Sequence, residues 1–373
     1  MSAHSSNFPH SLDYGATERS VVASTPGVHW LATLIVIATF PLICMGGLVT
    51  TLHAGMSVPD WPNSYGYNMF LFPPSRWVGG IFYEHTHRLM GTVVGMLSIA
   101  LAVWSWRAQI MAGIRSMLPG LTDWRPPIER HRYLSLAILA AVLFQGVLGG
   151  LRVVLVNLDL AIVHACVAQA FFCLAGYGAL VTSRRWQEAP DLSTFSAGRG
   201  VVTLGIVTVF VVYLQLIVGA TMRHHDAGLA IPDVPLAYGK WLPPTNAAGL
   251  AAVNRIRAFR MNLDPVSLGQ IWLHFGHRVG ALLVSGFVIV LAIKALRLRA
   301  SHGLAAPAVM LVVLLIGQLT LGVFTVLRRK PADVASAHVA VGALVLLTSF
   351  ILTMRAWKLY RSRPATVAAY AEH

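Results

Sequence analysis

Eight stretches of the chain stay apolar long enough to cross a bilayer, near residues 30–50, 81–104, 133–150, 160–182, 201–222, 269–293, 307–327 and 336–354. A run of roughly 20 apolar residues with few charges reads as a transmembrane helix. The third run is short at its edges and extends toward Arg152. The pattern predicts an all-α polytopic membrane protein. Composition agrees: 56% of the residues are hydrophobic, 11% are charged and the mean hydropathy is +0.66, which excludes an ordinary soluble domain.

The net charge of +14 would suit a nucleic-acid partner if it formed a soluble basic face. Lys and Arg gather instead at the ends of the apolar runs. With both termini inside, 16 of the 28 lie on the inner side and 10 on the outer, while Arg88 and Arg278 fall within spans. This bias predicts cytoplasmic termini in a bacterial inner membrane, with no nucleic-acid role. The first 28 residues lack a signal-peptide h-region and read as a cytoplasmic tail before an uncleaved first span. Cys44, Cys166 and Cys173 all sit in spans, so no loop disulfide is expected.

Self-comparison uncovers a duplication. The segment from His53 to Gly66, HAGMSVPDWPNSYG, recurs 173 residues later from Asp226 to Gly239 as DAGLAIPDVPLAYG. The same shift carries Gln145 and Gly149 onto Gln318 and Gly322. His87-Arg88 matches His277-Arg278 after a 17-residue insertion, and His164 matches His338. Four spans per half give both halves the same orientation, so two tandem four-helix bundles related by a pseudo-two-fold axis along the membrane normal are expected. The predicted division is a tail at 1–29, bundles at 30–182 and 201–354, a cytoplasmic linker at 183–200 and a tail at 355–373. An outer loop at 223–268 holds an amphipathic interfacial segment at 247–261.

Chemistry concentrates at residues 84–91, EHTHRLMG, where Glu84, His87 and Arg88 share one helix face and His85 points elsewhere. Ionisable groups in a span mark a functional site by default. His87, His164, His277 and His338 each lie roughly 9 to 13 Å from the outer start of their span, at 1.5 Å per residue. Facing helices could then hold an iron porphyrin between two imidazoles in each bundle. A single such His more often hydrogen-bonds a neighbouring helix, but repetition at matched depth favours two hemes. Zinc lacks the usual Cys and carboxylate partners. Arg88 and Arg278 are candidates for pairing with heme propionates, against simple snorkelling to lipid phosphate. Only the first half has a carboxylate three residues before its His; the second has His274 there. Glu84 could accept a proton or stabilise positive charge beside a heme edge, the alternative being an ion pair with Arg88. His53, His224 and His225 read as outer-loop residues, solvated or interfacial.

Glu-x-x-His-Arg opening the second span, His-Arg in the sixth, lone His residues near the starts of the fourth and eighth, and Gly-Gly-Leu-Val followed by Pro-Asp-Trp-Pro after the first together resemble the heme A synthase family over residues 30–355. The resemblance implies oxidation of the C8 methyl of heme O to a formyl group by successive hydroxylations. Under it, His87 and His164 hold the substrate, Glu84 is the catalytic carboxylate, and His277 and His338 ligate a permanent heme b that relays electrons. It also implies heme O synthase and cytochrome oxidase assembly as partners, and leaves room for a homo-oligomer. Many bacterial members carry a cysteine pair in the first outer loop, where this chain has Val58 and Ser64. Two readings from other classes stand beside it: a quinol-linked diheme b-type electron-transfer protein, which the common depth of the four His disfavours, and a parallel-repeat transporter with intramembrane His and Glu on a proton path.

Overall fold

The computed structural model describes residues 21–22, 25–118, 128–298 and 303–361, so most of the expected tails at 1–29 and 355–373 lies outside the described residues. Eight helices are long and apolar enough to cross a membrane. In the first half they are α1 (Pro26–Thr51), α2 (Gly80–Met117), α3 (Arg132–Val154) and α4 (Leu158–Thr182). A short α5 (Arg184–Gln187) follows in the linker. The second half holds α6 (Ser196–His224), α7 (Ala247–Ile256) in the outer loop, α8 (Leu268–Arg297), α9 (Ala305–Leu327) and α10 (Ala332–Tyr360).

Local chemistry sets the boundaries. Pro26 occupies the first turn of α1, where its missing N–H costs nothing. Asn157 caps α4 by accepting from the Leu160 N–H, and Ser267 caps α8 in a reciprocal box with Gln270. The amphipathic segment at 247–261 is α7 followed by a π turn over Arg257–Met261. α2 runs 13 residues past the apolar stretch that announced it. Its inner extension is tied down by Arg107, which donates to the buried Glu129 at 2.9 Å; Glu129 also accepts the Thr25 N–H. Beside this clamp Val21–Val22 pairs with Ile128–Glu129 as a minimal parallel ladder, β1 with β2.

Within the first half α1 packs on α2 and α4, and α3 on α2 and α4, around Ile35, Val94, Ile138 and Phe171. In the second half α10 packs on α6 and α9, and α8 on α6 and α9, around Val288, Leu291, Leu311 and Leu346. Between halves α1 meets α10, α4 meets α6 and α4 meets α10, the pattern a two-fold exchange of equivalent helices demands. Phe172 fills this seam against Ile43 and Ala343. Outward-facing Ile37, Phe144, Phe210, Leu282 and Ile316 are exposed, as lipid-facing side chains are.

The first outer loop and its repeat fold alike, which explains the duplicated motif. Asp60 accepts the N–H groups of Tyr65 and Gly66 at 2.7 and 2.8 Å; Asp233 does the same for Tyr238 and Gly239 at 2.8 and 2.9 Å. Tyr65 and Tyr238 are left-handed, at φ 51° and 56°, and each is followed by a positive-φ Gly. The carboxylate holds a turn that a bulky residue would otherwise avoid. Each tyrosine hydroxyl then donates back across the turn, to Ser57 O and Ala230 O.

Candidate functional site

The four histidines occupy one repeated environment. Each sits on the second helix of an outward-pointing hairpin, its Cε1 against a glycine of the first helix: His87 on Gly46, His164 on Gly149, His277 on Gly219 and His338 on Gly322. A Cβ at any of these glycines would come within 3.0 or 3.1 Å of the ring. One helical turn before each glycine stands Leu42, Gln145, Gln215 or Gln318.

Three of these four residues contact the facing histidine. Gln215 Nε2 lies 3.0 Å from His277 Nδ1 and donates to its carbonyl at 2.7 Å. The Gln318 carbonyl lies 3.1 Å from His338 Nδ1. Gln145 donates to the His164 carbonyl at 3.1 Å. The repeat in the sequence marks Gln145, Gly149, Gln318 and Gly322, whereas Leu42, Gln215 and Gly219 carry no mark of their own, although Leu42–Gly46 and Gln215–Gly219 stand at the same 173-residue shift. Leu42 against Gln215 is an asymmetry in its own right, because His277 gains a side-chain partner from the helix before it and its counterpart His87 does not.

His277 and His338 face each other with ring centroids 6.4 Å apart and planes at 73°. Two imidazoles sharing one iron, with bonds of about 2 Å on each side plus the ring radii, need centroids roughly 6 Å apart. His87 and His164 are near enough for their charges to interact. Their Nδ1 atoms are buried and without a hydrogen-bond partner. The donor set and the glycine cradles fit an axially held porphyrin in each half.

The outer edge of each pair is closed by the loop and clamped from below. Arg88 donates to the carbonyls of Val58, Asp60 and Asn63 at 2.7, 2.6 and 3.0 Å, and to Glu84 Oε1 at 2.9 Å. Arg278 donates to Ile231 O and Leu236 O, the equivalents of Val58 and Asn63. Any propionate contact by these two arginines has to compete with the carbonyls already bound.

Glu84, 3% exposed, spends its other oxygen on the Val58 N–H at 2.8 Å. In the second half the Ile231 N–H donates to His274 Nδ1 at 3.2 Å. One structural task is thus performed by a carboxylate in one half and a neutral ring in the other. The ion pair weighed as the bland alternative for Glu84 exists, and it leaves a buried anionic oxygen pair one helical turn from His87.

His85 does point away from this face. It is fully buried between Phe72 and Trp77, with Nδ1 3.2 Å from Ser64 Oγ. Trp61 lies over Gly150, next to the seat of His164, where a Cβ would run into the indole; Val234 takes its place in the second half. His224 departs from the expectation of an outer-loop residue. It is the last residue of α6 and half-buried, with Nδ1 at 2.9 Å from Ala220 O, because that helix runs two residues further than its apolar stretch.

A duplicated eight-helix membrane bundle, with a facing histidine pair in one half and two neighbouring histidines beside a buried carboxylate in the other, defines a class of integral membrane proteins whose donor set suits a porphyrin. The sequence profile of the cytochrome oxidase assembly proteins (COX15-CtaA) matches residues 29–351, and the chain belongs to this family, that of the heme A synthases. It is similar to the heme A synthase of Shewanella oneidensis, at 26% identity over 353 residues covering 88% of this chain and 96% of the relative. The Shouchella clausii enzyme is 28% identical over 81% of this chain and 87% of its own length, and that of Caulobacter vibrioides 26% over 91% and 97%. Membership makes the protein an oxidoreductase-type enzyme of heme A biosynthesis, embedded in a membrane by multiple passes.

Proposed function

We propose that the chain oxidises the C8 methyl of heme O to the formyl group of heme A by successive hydroxylations, in the first bundle (30–182), with electrons relayed through the second (201–354). His87 and His164 hold the substrate porphyrin; His277 and His338 hold heme b, which when bound supplies one-electron transfer to the substrate half. Supporting this division is a single observation: at the one position where both halves must accept the same loop N–H, the first half uses the carboxylate of Glu84 and the second the ring of His274.

Glu84 is the proton-handling group of the substrate half. Arg88 holds its Oε1 at 2.9 Å, and the Val58 N–H orients Oε2. A carboxylate held in this way can hand on or accept a proton at the porphyrin edge during oxidation of the methyl carbon, in a pocket from which the docked loop excludes water. Arg88 and Arg278 serve the porphyrins by holding that loop and its repeat against their outer edges. The positive-inside bias supports cytoplasmic termini in a bacterial inner membrane, with oxidation near the outer face. Delivery by a heme O synthase and hand-off to cytochrome oxidase assembly fit this role.

The decisive variant is Glu84→Gln, because it keeps an acceptor for the Val58 N–H and removes only the charge. Pigments extracted after expression with a heme O supply should contain heme b at wild-type level and no heme A. Undiminished heme A would remove Glu84 from the chemistry, and parallel loss of both pigments would make it a structural residue.

A further inference from the structure

Two arginines break the duplication and are not accounted for by the loop clamps. Arg152 lies in the last turn of α3 and Arg223 in the last turn of α6; 173 residues away from each stand Thr325 and Thr50. Both guanidinium groups turn inward at the outer end of the bundles. Arg152 donates to Gly55 O at 2.9 Å, in a place where a Cβ on Gly55 would collide with it. Arg223 crosses the seam and donates to Gly47 O and Thr51 Oγ1 of α1. No carboxylate among the described residues forms an ion pair with either.

Their positions relative to the histidines are specific. Arg152 is close enough to both His87 and His164 to act on them electrostatically. Arg223 has the same relation to His338. Gly47, which Arg223 touches, adjoins the Gly46 seat of His87, and it packs on Ser336 of α10, two residues before His338. Besides the loop-clamping Arg88 and Arg278, each histidine pair therefore has at its outer edge a second arginine outside any ion pair, supplied by a different helix in each half.

A guanidinium in the low-dielectric interior of a membrane bundle is costly without an anion, and carbonyl and hydroxyl acceptors only partly compensate it. Resting on the two-porphyrin reading above, we infer that Arg152 and Arg223 are the counter-cations for a carboxylate side chain of each porphyrin, Arg152 for the substrate and Arg223 for the resident heme. A planar fork suits a porphyrin propionate and completes the charge balance that the polypeptide leaves open. With Arg88 and Arg278 committed to loop carbonyls, positioning of the loop and recognition of the acid groups fall to separate arginines.

The test uses the full-length protein in detergent, freed of heme and reconstituted with hemin or with hemin dimethyl ester, whose acid groups are blocked. Wild type should bind hemin in the His277–His338 site roughly tenfold to a hundredfold more tightly than the ester, the range of a charge-assisted pair. Arg223→Gln should abolish that preference and lower the midpoint potential of the resident heme, since a nearby cation favours the reduced iron. Arg223→Lys keeps the charge and should retain most of the preference. Arg152→Gln should leave the resident heme unchanged and reduce the heme O that copurifies from cells supplied with it. An unchanged hemin preference in Arg223→Gln, or a loss as complete in Arg223→Lys as in Arg223→Gln, overturns the proposal while leaving the two-porphyrin reading standing. A wild type that binds neither hemin nor its ester sinks both.

Discussion

At the scale of single residues the site depends on what is missing as much as on what is present. The imidazoles stand where they do because Gly46, Gly149, Gly219 and Gly322 lack a Cβ. Gly219→Ala should push the His277 ring aside by a few tenths of an ångström and cost about 1–3 kcal/mol in fit. Its low-spin heme b spectrum should weaken or broaden, whereas Gly46→Ala should leave that spectrum intact and lower only heme A output. Gln215→Leu copies the first half and strips His277 of its side-chain partner. Optical redox titration should then show a shifted heme b midpoint potential with heme content largely retained. The histidines, Glu84 and the arginines after them were legible because ionisable groups are conspicuous in apolar runs. Leu42 was not, since a leucine in a span carries no such signal until a partner helix is set against it.

Among the elements, the outer loop behaves as a preformed lid. Burial pushes the Asp60 carboxyl up, but the N–H groups of Gly66 and Tyr65, with the charge of Arg88, outweigh it and hold the group below the usual carboxylate range. A carboxyl depressed by folding contributes stability above its unfolded value, near pH 4, and loses it as the pH falls through the folded value. The loop should therefore resist external protease across the neutral and mildly acidic range and become cleavable only in stronger acid. Asp60→Ala should make it cleavable at neutral pH. On the inner side, Glu129→Ala leaves Arg107 and the Thr25 N–H without their buried acceptor, for a predicted loss of about 3–5 kcal/mol readable as a lowered Tm in detergent. Neither clamp was foreseen. The motif Pro-Asp-x-Pro flagged a conspicuous loop, but the loop partners of Asp60 and Arg88 are backbone atoms, which sequence does not distinguish, and Glu129 lies far in sequence from the groups it joins. Helix ends differ from the apolar runs for a related reason: hydropathy stops where lipid stops, while α2 continues to Met117 past the Arg107–Glu129 clamp.

For the whole molecule, tandem duplication was the strongest sequence signal, and it predicted the pairing of helices that the structure displays. The seam was less legible, because Phe172, Ile43 and Ala343 are ordinary apolar residues whose alliance is visible only in three dimensions. Equivalent positions even meet there: His53 and Asp226, 173 residues apart, approach to 4.0 Å, where a two-fold axis passes. Every histidine, however, finds both its glycine seat and its facing imidazole inside its own half. Chain order is consequently incidental to the cofactor pockets. Two separately translated polypeptides ending and starting within residues 183–200 should reunite in one membrane with the pigments of the intact protein, and a gene with its halves transposed should encode the same assembly. The smallest heritable module is a lone helical pair bearing one glycine and one ligand, from which a four-part ancestor could have been stitched.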